Sequence, residues 1–434
     1  MFNIRPFQVI LIGGFAAFAI FGLIFFSVFQ RQQADEEPGY GESVIIWGTL
    51  DRESFQDVFQ EIVKTDKDFQ AIEYIEKDPR SFDLELLTAI AEGRSPDLLV
   101  LGSDSIVAHR EKLRAVSFET LSERSFRDTY VDGAEIFLLN DGIYALPFAV
   151  DPLMMYWNRD IFSGSGLATP PKTWEEIVGV VEPAITEVDQ SFTIKRSALA
   201  FGEYANIRNA KHILSLLLLQ SGTDIVRENN TGYTITLDEG GQGGIPPADA
   251  SLSFYTQFAN PSGSEYTWNR AMREDRQEFT SGELGLYFGL GSEYYAIDGA
   301  NPNLNFDIAE VPQGSGASIK RGFGVFYGFA IPRASGNPQG AWKAAQMLGR
   351  EANSASLSDK LDLAPVHRSE LSRGSSDPYR DTLYTAALIA RGWLDPNRAA
   401  SDNVFKTMIE DITSGRERIS EAITDAIGRL ELLF

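Results

Sequence analysis

The stretch Tyr144–Phe162, "YALPFAVDPLMMYWNRDIF", decides how this chain is put together. It reads as two extended apolar runs fused back to back, with Asp151-Pro152 between them and a helix-like "NRDIF" at the end. A hairpin would place turn chemistry such as Asn-Gly between the runs. None is present, so the chain is expected to continue in one direction, out of one body of structure and into another. Asp151, the single acid of the two runs, would then mark an interdomain crossing.

On the amino-terminal side of the crossing, "SVIIWGTLDRESFQDVFQEIVKTD" gives a strand over Val44–Trp47 and then a helix. Phe55, Val58, Phe59, Ile62 and Val63 share one helical face at three- and four-residue spacing. "AIEYIEK" is a second strand, "FDLELLTAIAEG" a helix closed by Gly93, and "PDLLVLGSD" a third strand. This alternation predicts an α/β fold with a parallel, doubly wound sheet. Ligands of such sheets sit beyond the carboxyl ends of the strands, which singles out residues 48–52 and 102–105.

On the carboxyl side, "PPKTWEEI" starts a helix, with Thr173 as N-cap and Glu176 completing a capping box. "SALAFGEY" reads as a strand and "NAKHILSLLLLQSG" as a buried helix ending at Gly222. "DEGGQGGIPPADA" is a loop, and "FTSGELGLYFGLGSEYY" carries a helix end into a strand and a Gly-rich loop. "FDIAEVP" and "GFGVFYGFAIP" are further strands; the chain from about Pro378 reads as helices. No internal repeat stands out.

Bulk properties narrow the function. The 434 residues, 43% hydrophobic, are enough for two domains. A formal net charge of -23 argues against nucleic acid and anionic lipid as partners, because phosphate recognition needs clustered Lys and Arg. With no cysteine there are no disulfides, thiolate metal sites or Cys nucleophiles. His109, His212 and His367 stand in unrelated contexts and read as surface or satisfied, partly buried residues, so no metal or cofactor is expected.

Phe7–Phe29 is apolar between Gln8 and Ser27, and about 20 helical residues span a hydrocarbon core. Arg5 before it and the acids after Arg31 orient the remainder outside the cytoplasm. A cleaved signal peptide would be shorter and end in a small-x-small site. "SVFQRQQADEE" supplies none of quality, so a retained single-pass anchor (residues 1–42 with its tether) is expected, facing a periplasm or the cell surface.

Walker, dinucleotide, G-x-S-x-G elbow, H-E-x-x-H and EF-hand signatures are missing. Two acids suffice for a glycosidase, and Asp51, Asp104, Asp151 and Glu293 could converge. With no other catalytic signature, binding is read ahead of hydrolysis and no enzyme is expected.

Taken in order, "VIIWGTLD", "PDLLVLGSD", the crossing segment, "PPKTWEEI", "FTSGELGLYFGLGSEY", "FDIAEVPQG" and "GFGVFYGFAIP…AWKAAQML" resemble the extracellular solute-binding proteins of the maltose-binding, family 1 type, which serve ABC importers. The resemblance implies a bilobal, periplasmic-binding-protein-like fold whose two lobes close like a clamp. Residues 43–150 and 322–365 would form lobe 1, and 151–321 and 366–434 lobe 2. Carried over by position, Asp51 and Arg52, Ser103 and Asp104, and the hinge acid Asp151 would contact ligand. The loop that often supplies an aromatic platform is matched by Ser292, with Glu293 and Tyr294 beside it. Leu101 replaces another usual aromatic; both departures point away from a maltodextrin but leave the class.

A sugar fits these residues. Hydroxyls favour charged, directional acceptors, and apolar sugar faces favour aromatic surface, for which Trp268, Tyr294 and Trp393 lie on or near expected loops. The expected partners are a carbohydrate, ABC permease subunits and the membrane, with the protein a monomer. A polyamine or peptide ligand, or a sensor role, stays open; only a handful of residues precede the expected span, which disfavours a sensor.

Overall fold

The computed structural model describes residues 40, 41, 43–191, 193–240 and 246–434. The expected span Phe7–Phe29, and all of its tether but Tyr40 and Gly41, lie outside those residues. Among the described residues no helix is long and apolar enough to cross a membrane. Tyr40, read as tether, belongs to the fold: its side chain is buried and its hydroxyl donates to Asp66 at 2.7 Å.

The strands, in chain order, are β1 (Val44–Gly48), β2 (Ile72–Glu76), β3 (Leu98–Gly102), β4 (Leu138–Leu139), β5 (Gly142–Ile143) and β6 (Leu146–Asn158). They continue with β7 (Glu187–Val188), β8 (Ile194–Leu199), β9 (Val226–Asn229), β10 (Gly232–Ile235) and β11 (Leu284–Leu290). The last are β12 (Phe306–Ala309), β13 (Gly322–Ala330), β14 (Ala364–Pro365) and β15 (Ala390–Arg391). One mixed sheet runs in the order β2-β1-β3-β13-β6-β11-β8-β7, with β12, β14 and β15 paired off that path. Pairing is parallel in the outer portions, β2-β1-β3 and β11-β8, as the alternating pattern predicts, and antiparallel where β13 and β6 join them.

Strand β6 is the crossing, and all 13 of its residues are buried. Burial on both faces is why it reads as a continuous apolar run rather than an alternation. Leu146 to Pro152 pairs with β13, and Leu153 to Trp157 with β11. Partners change at Asp151-Pro152-Leu153, where a proline with no N–H does least harm to a ladder.

Helices cover both halves of the sheet. Arg52–Thr65 buries Phe55, Val58, Phe59 and Ile62, with Val63 partly covered. Phe55 lies flat on Tyr74, ring centroids 3.8 Å apart, and burying a side chain of this size contributes roughly 1.5–3 kcal/mol. The closing helices Arg398–Thr413 and Ile419–Glu431 pack on the β8–β11 half. Arg368–Arg373 rests against Glu123–Thr129 of the first half, and Pro378–Ile389 touches β6, β12 and β13 and so straddles both.

Candidate functional site

A cleft of about 820 Å³ opens along the line where the two halves meet. Its first wall comes from carboxyl ends of strands, Thr49 after β1 and Ser103 and Asp104 after β3. The floor is one face of β13, where Phe323, Val325 and Tyr327 alternate toward the cleft. The second wall comes from the turn after β11, the start of helix Ala210–Ser221, and the segment from Gly392 to Asp402.

The turn after β11 is held from beneath by Asp151. Ser292 donates its backbone N–H (3.1 Å) and its hydroxyl (2.6 Å) to the two carboxylate oxygens. Tyr156 donates to the Leu290 carbonyl at 2.6 Å, and Tyr379 to the Gly291 carbonyl at 2.9 Å. Leu383 closes over Gly291, where a Cβ would stand 2.3 Å from its Cδ1. Burial pushes the Asp151 carboxyl up to about 7; the bonds from Ser292 oppose that, and the Glu293 charge adds to it.

Glu293 is fully engaged. Tyr287 Oη (2.6 Å), Asn209 Nδ2 (2.8 Å) and the Leu290 N–H (3.0 Å) all donate to it. Arg208 and Arg276 approach at 3.6 and 3.5 Å. Deeper in the same wall, Lys211 forms an ion pair with Asp395. Lys211 also donates to Ser401 Oγ at 2.6 Å, and Ser401 donates to Asp395 at 2.7 Å. Trp393 covers this group: its indole N–H donates to Ser215 at 3.0 Å, and Lys211 Nζ lies 5.3 Å from its ring centroid. Desolvation, with Lys211 and Arg398 nearby, lowers the His212 pKa, so a neutral imidazole stacks on Phe323 at 5.0 Å.

Of the residues singled out by sequence, Ser103, Asp104, Ser292, Glu293 and Trp393 line this cleft together. Ser103 Oγ also accepts the Phe326 N–H at 3.1 Å, which fixes β3 to β13. The other five lie outside its lining. Asp51 is the exposed N-cap of helix Arg52–Thr65, accepting Ser54 N–H and Oγ–H at 2.7 Å each, which lowers its pKa. Arg52 lines a neighbouring depression that shares Pro79 and Arg80 with the cleft. Asp151 is 2% exposed and reaches the cleft only through Ser292. Trp268 is wholly buried despite its loop. Tyr294 packs against Tyr379, centroids 4.3 Å apart, outside the cleft lining.

Sequence reasoning missed Asp83, His109, Arg208, Asn209, Lys211 and Arg398, all of which line the cleft. A signal was present in "NAKHILSLLLLQ", where a run of polar residues opens an otherwise apolar helix and must find partners. His109 is buried, with Nε2 3.0 Å from Asp83. Among the described residues no group of His, Asp and Glu has the arrangement of a metal site.

A family model described as "Bacterial extracellular solute-binding protein" matches residues 51–355. The diacetylchitobiose binding protein of Streptomyces coelicolor is 23% identical over 341 residues, 75% of this chain and 71% of that protein. A Brucella abortus protein provisionally named as a binding protein is 23% identical over 296 residues, 66% of each chain and so just under two thirds of its length. In fold, the chain is similar to a cyclo/maltodextrin-binding protein complexed with maltotetraose. There the TM-score is 0.72 at 14% identity, covering 92% of this chain and 98% of that one. It is also similar to CpMnBP1 with mannotriose bound, at a TM-score of 0.65 and 17% identity over 89% and 99% of the two chains.

Proposed function

The chain belongs to the bacterial extracellular solute-binding protein family, and from that premise we propose that it captures a sugar or oligosaccharide between its lobes and hands it to an ABC importer. The family is one of binding proteins rather than enzymes. The observation that carries the reading is the cleft itself, a polar groove between two sheet halves that meet at β6 and β13. Closure about such a crossing is a hinge motion. Relatives and neighbours of this chain hold maltotetraose, mannotriose or diacetylchitobiose, and hydroxyl-rich solutes suit the Ser, Asn and Asp lining.

The same proposal includes the retained anchor Phe7–Phe29, a position outside the cytoplasm, a monomeric state, and the lobe division 43–150 with 322–365 against 151–321 with 366–434. A polycation fits less well. Four basic residues (Arg80, Arg208, Lys211, Arg398) stand among five acids (Asp83, Asp104, Glu293, Asp395, Asp402), so the cleft is almost balanced in a strongly acidic chain.

Thermal shift tests the reading, since a ligand at 100 times its Kd stabilises by about 2.7 kcal/mol. Maltotetraose, mannotriose or diacetylchitobiose should raise Tm. If spermidine alone does so, the carbohydrate assignment is wrong.

A further inference from the structure

Asp151 occupies the hinge position where an acid would be expected to meet the solute, yet its carboxylate is sealed beneath Ser292. A serine hydroxyl has one proton to give and two lone pairs. Above about pH 7 the Asp151 carboxylate is ionised and only accepts, and it already takes the Ser292 N–H at 3.1 Å on one oxygen. The 2.6 Å contact on the other oxygen therefore consumes the Ser292 proton. We propose that Asp151 is a positioning residue that fixes the Ser292 hydroxyl with its lone pairs toward the cleft, so that the solute group seated there must be a hydrogen-bond donor.

The turn cannot slide away from this arrangement. Its carbonyls at Leu290 and Gly291 are pinned by Tyr156 and Tyr379, and Leu383 packs against Gly291. The titratable groups facing Asp151 are Glu293 on the turn, Tyr156 on β6, Tyr327 on β13 and Tyr379 on helix Pro378–Ile389. Burial raises the pKa of all three tyrosines, so none of them competes as an anion. Protonation of Asp151 would give it a proton to donate and release the serine to donate in turn. A donor on the solute polarises the Ser292–Asp151 bond further and strengthens it. The site would thus select an O–H or N–H at one position and reject an ether or fluorine there.

The inference rests on solute binding, and its test separates the two. At about pH 8.5, where Asp151 is ionised, the full chain, Ser292→Ala and Asp151→Asn are titrated with whichever of maltotetraose, mannotriose or diacetylchitobiose binds best, and with its single deoxyfluoro analogues. Fluorine in place of hydroxyl removes the donor at nearly constant size. The unsubstituted chain should lose roughly tenfold in affinity at one position. Both variants should lose that discrimination, Asp151→Asn because its amide N–H now faces Ser292 and frees the hydroxyl to donate. Uniform tolerance of fluorine by the unsubstituted chain, or an unchanged profile in Asp151→Asn, overturns the proposal. If Asp151→Asn does not fold, Ser292→Ala carries the comparison alone. If no sugar binds, the carbohydrate reading falls, and carbon-13 titration of the Asp151 carboxyl decides the inference. Its midpoint should move higher in Ser292→Ala, and an unmoved midpoint refutes the lock.

Discussion

The two walls of the cleft use the same residue types in opposite ways. On the wall built from β11 and helix Ala210–Ser221, charges are sunk and saturated: Lys211 with Asp395 and Ser401, Glu293 with a tyrosine, an asparagine and a backbone N–H. On the wall after β3, Asp104 meets Arg398 across the gap at 3.4 Å, and Arg398 is 70% exposed. Buried ion pairs hold shape because losing one partner strands the other, whereas an exposed pair can be exchanged for a solute at little desolvation cost. The pairs sunk in the second wall are framework, and the pair that bridges the gap is available.

The largest effect should follow from breaking the framework. Lys211→Met leaves Asp395, 1% exposed, without its cation, and an uncompensated buried charge costs about 3–5 kcal/mol. Urea unfolding should show that loss, and adding Asp395→Leu should restore most of it. A loss below about 1 kcal/mol would mean that the two walls are alike.

The next effect lies in the pH dependence of the same wall. Asp275 accepts the backbone N–H of Arg208 (3.0 Å) and Arg276 (2.8 Å), and burial pushes its carboxyl up to about 7. Its proton is held more tightly folded than unfolded. Its contribution is therefore complete below about pH 4 and is lost as pH rises through about 7. Relative to Asp275→Asn, the unsubstituted chain should lose on the order of 4 kcal/mol between pH 4 and 8. A constant difference across that range would show an ordinary, solvated carboxylate.

The contrast between the walls also marks what the sequence could convey. The crossing was legible because a strand buried on both faces leaves a mark no hairpin makes: two apolar runs with nothing to turn the chain. The capping box at Thr173 and Glu176 was legible because it is local, and both of its bonds are present. Asp51 carried the mark of an N-cap just as openly, three residues before the Ser54 it caps. Trp268 is loop by its neighbours in sequence and core by its neighbours in space. The Lys211–Asp395 pair joins residues 184 positions apart, and only the return of the chain after β13 brings them together. No periodicity could announce it. Asp151 was legible as a position but not as a covered one, because the residue above it comes from a turn 141 positions away.

The smallest effect on stability should belong to the Asp104–Arg398 pair, and that smallness is the point. Arg398→Ala removes an exposed guanidinium whose bond to Asp104 competes with water, so unfolding should change by less than about 1 kcal/mol. Affinity should respond more. The pair reaches from the loop after β3 to helix Arg398–Thr413, which packs on the other half, so a solute bound between them exchanges one charged contact for two. Arg398→Ala and Asp104→Ala should each weaken sugar binding several-fold by calorimetry, and the double variant should fall short of their sum because they act on one site. Were Arg398→Ala instead to cost more than about 2 kcal/mol in unfolding with affinity intact, this pair would be framework too, and the solute would have to find its charged contacts elsewhere in the cleft.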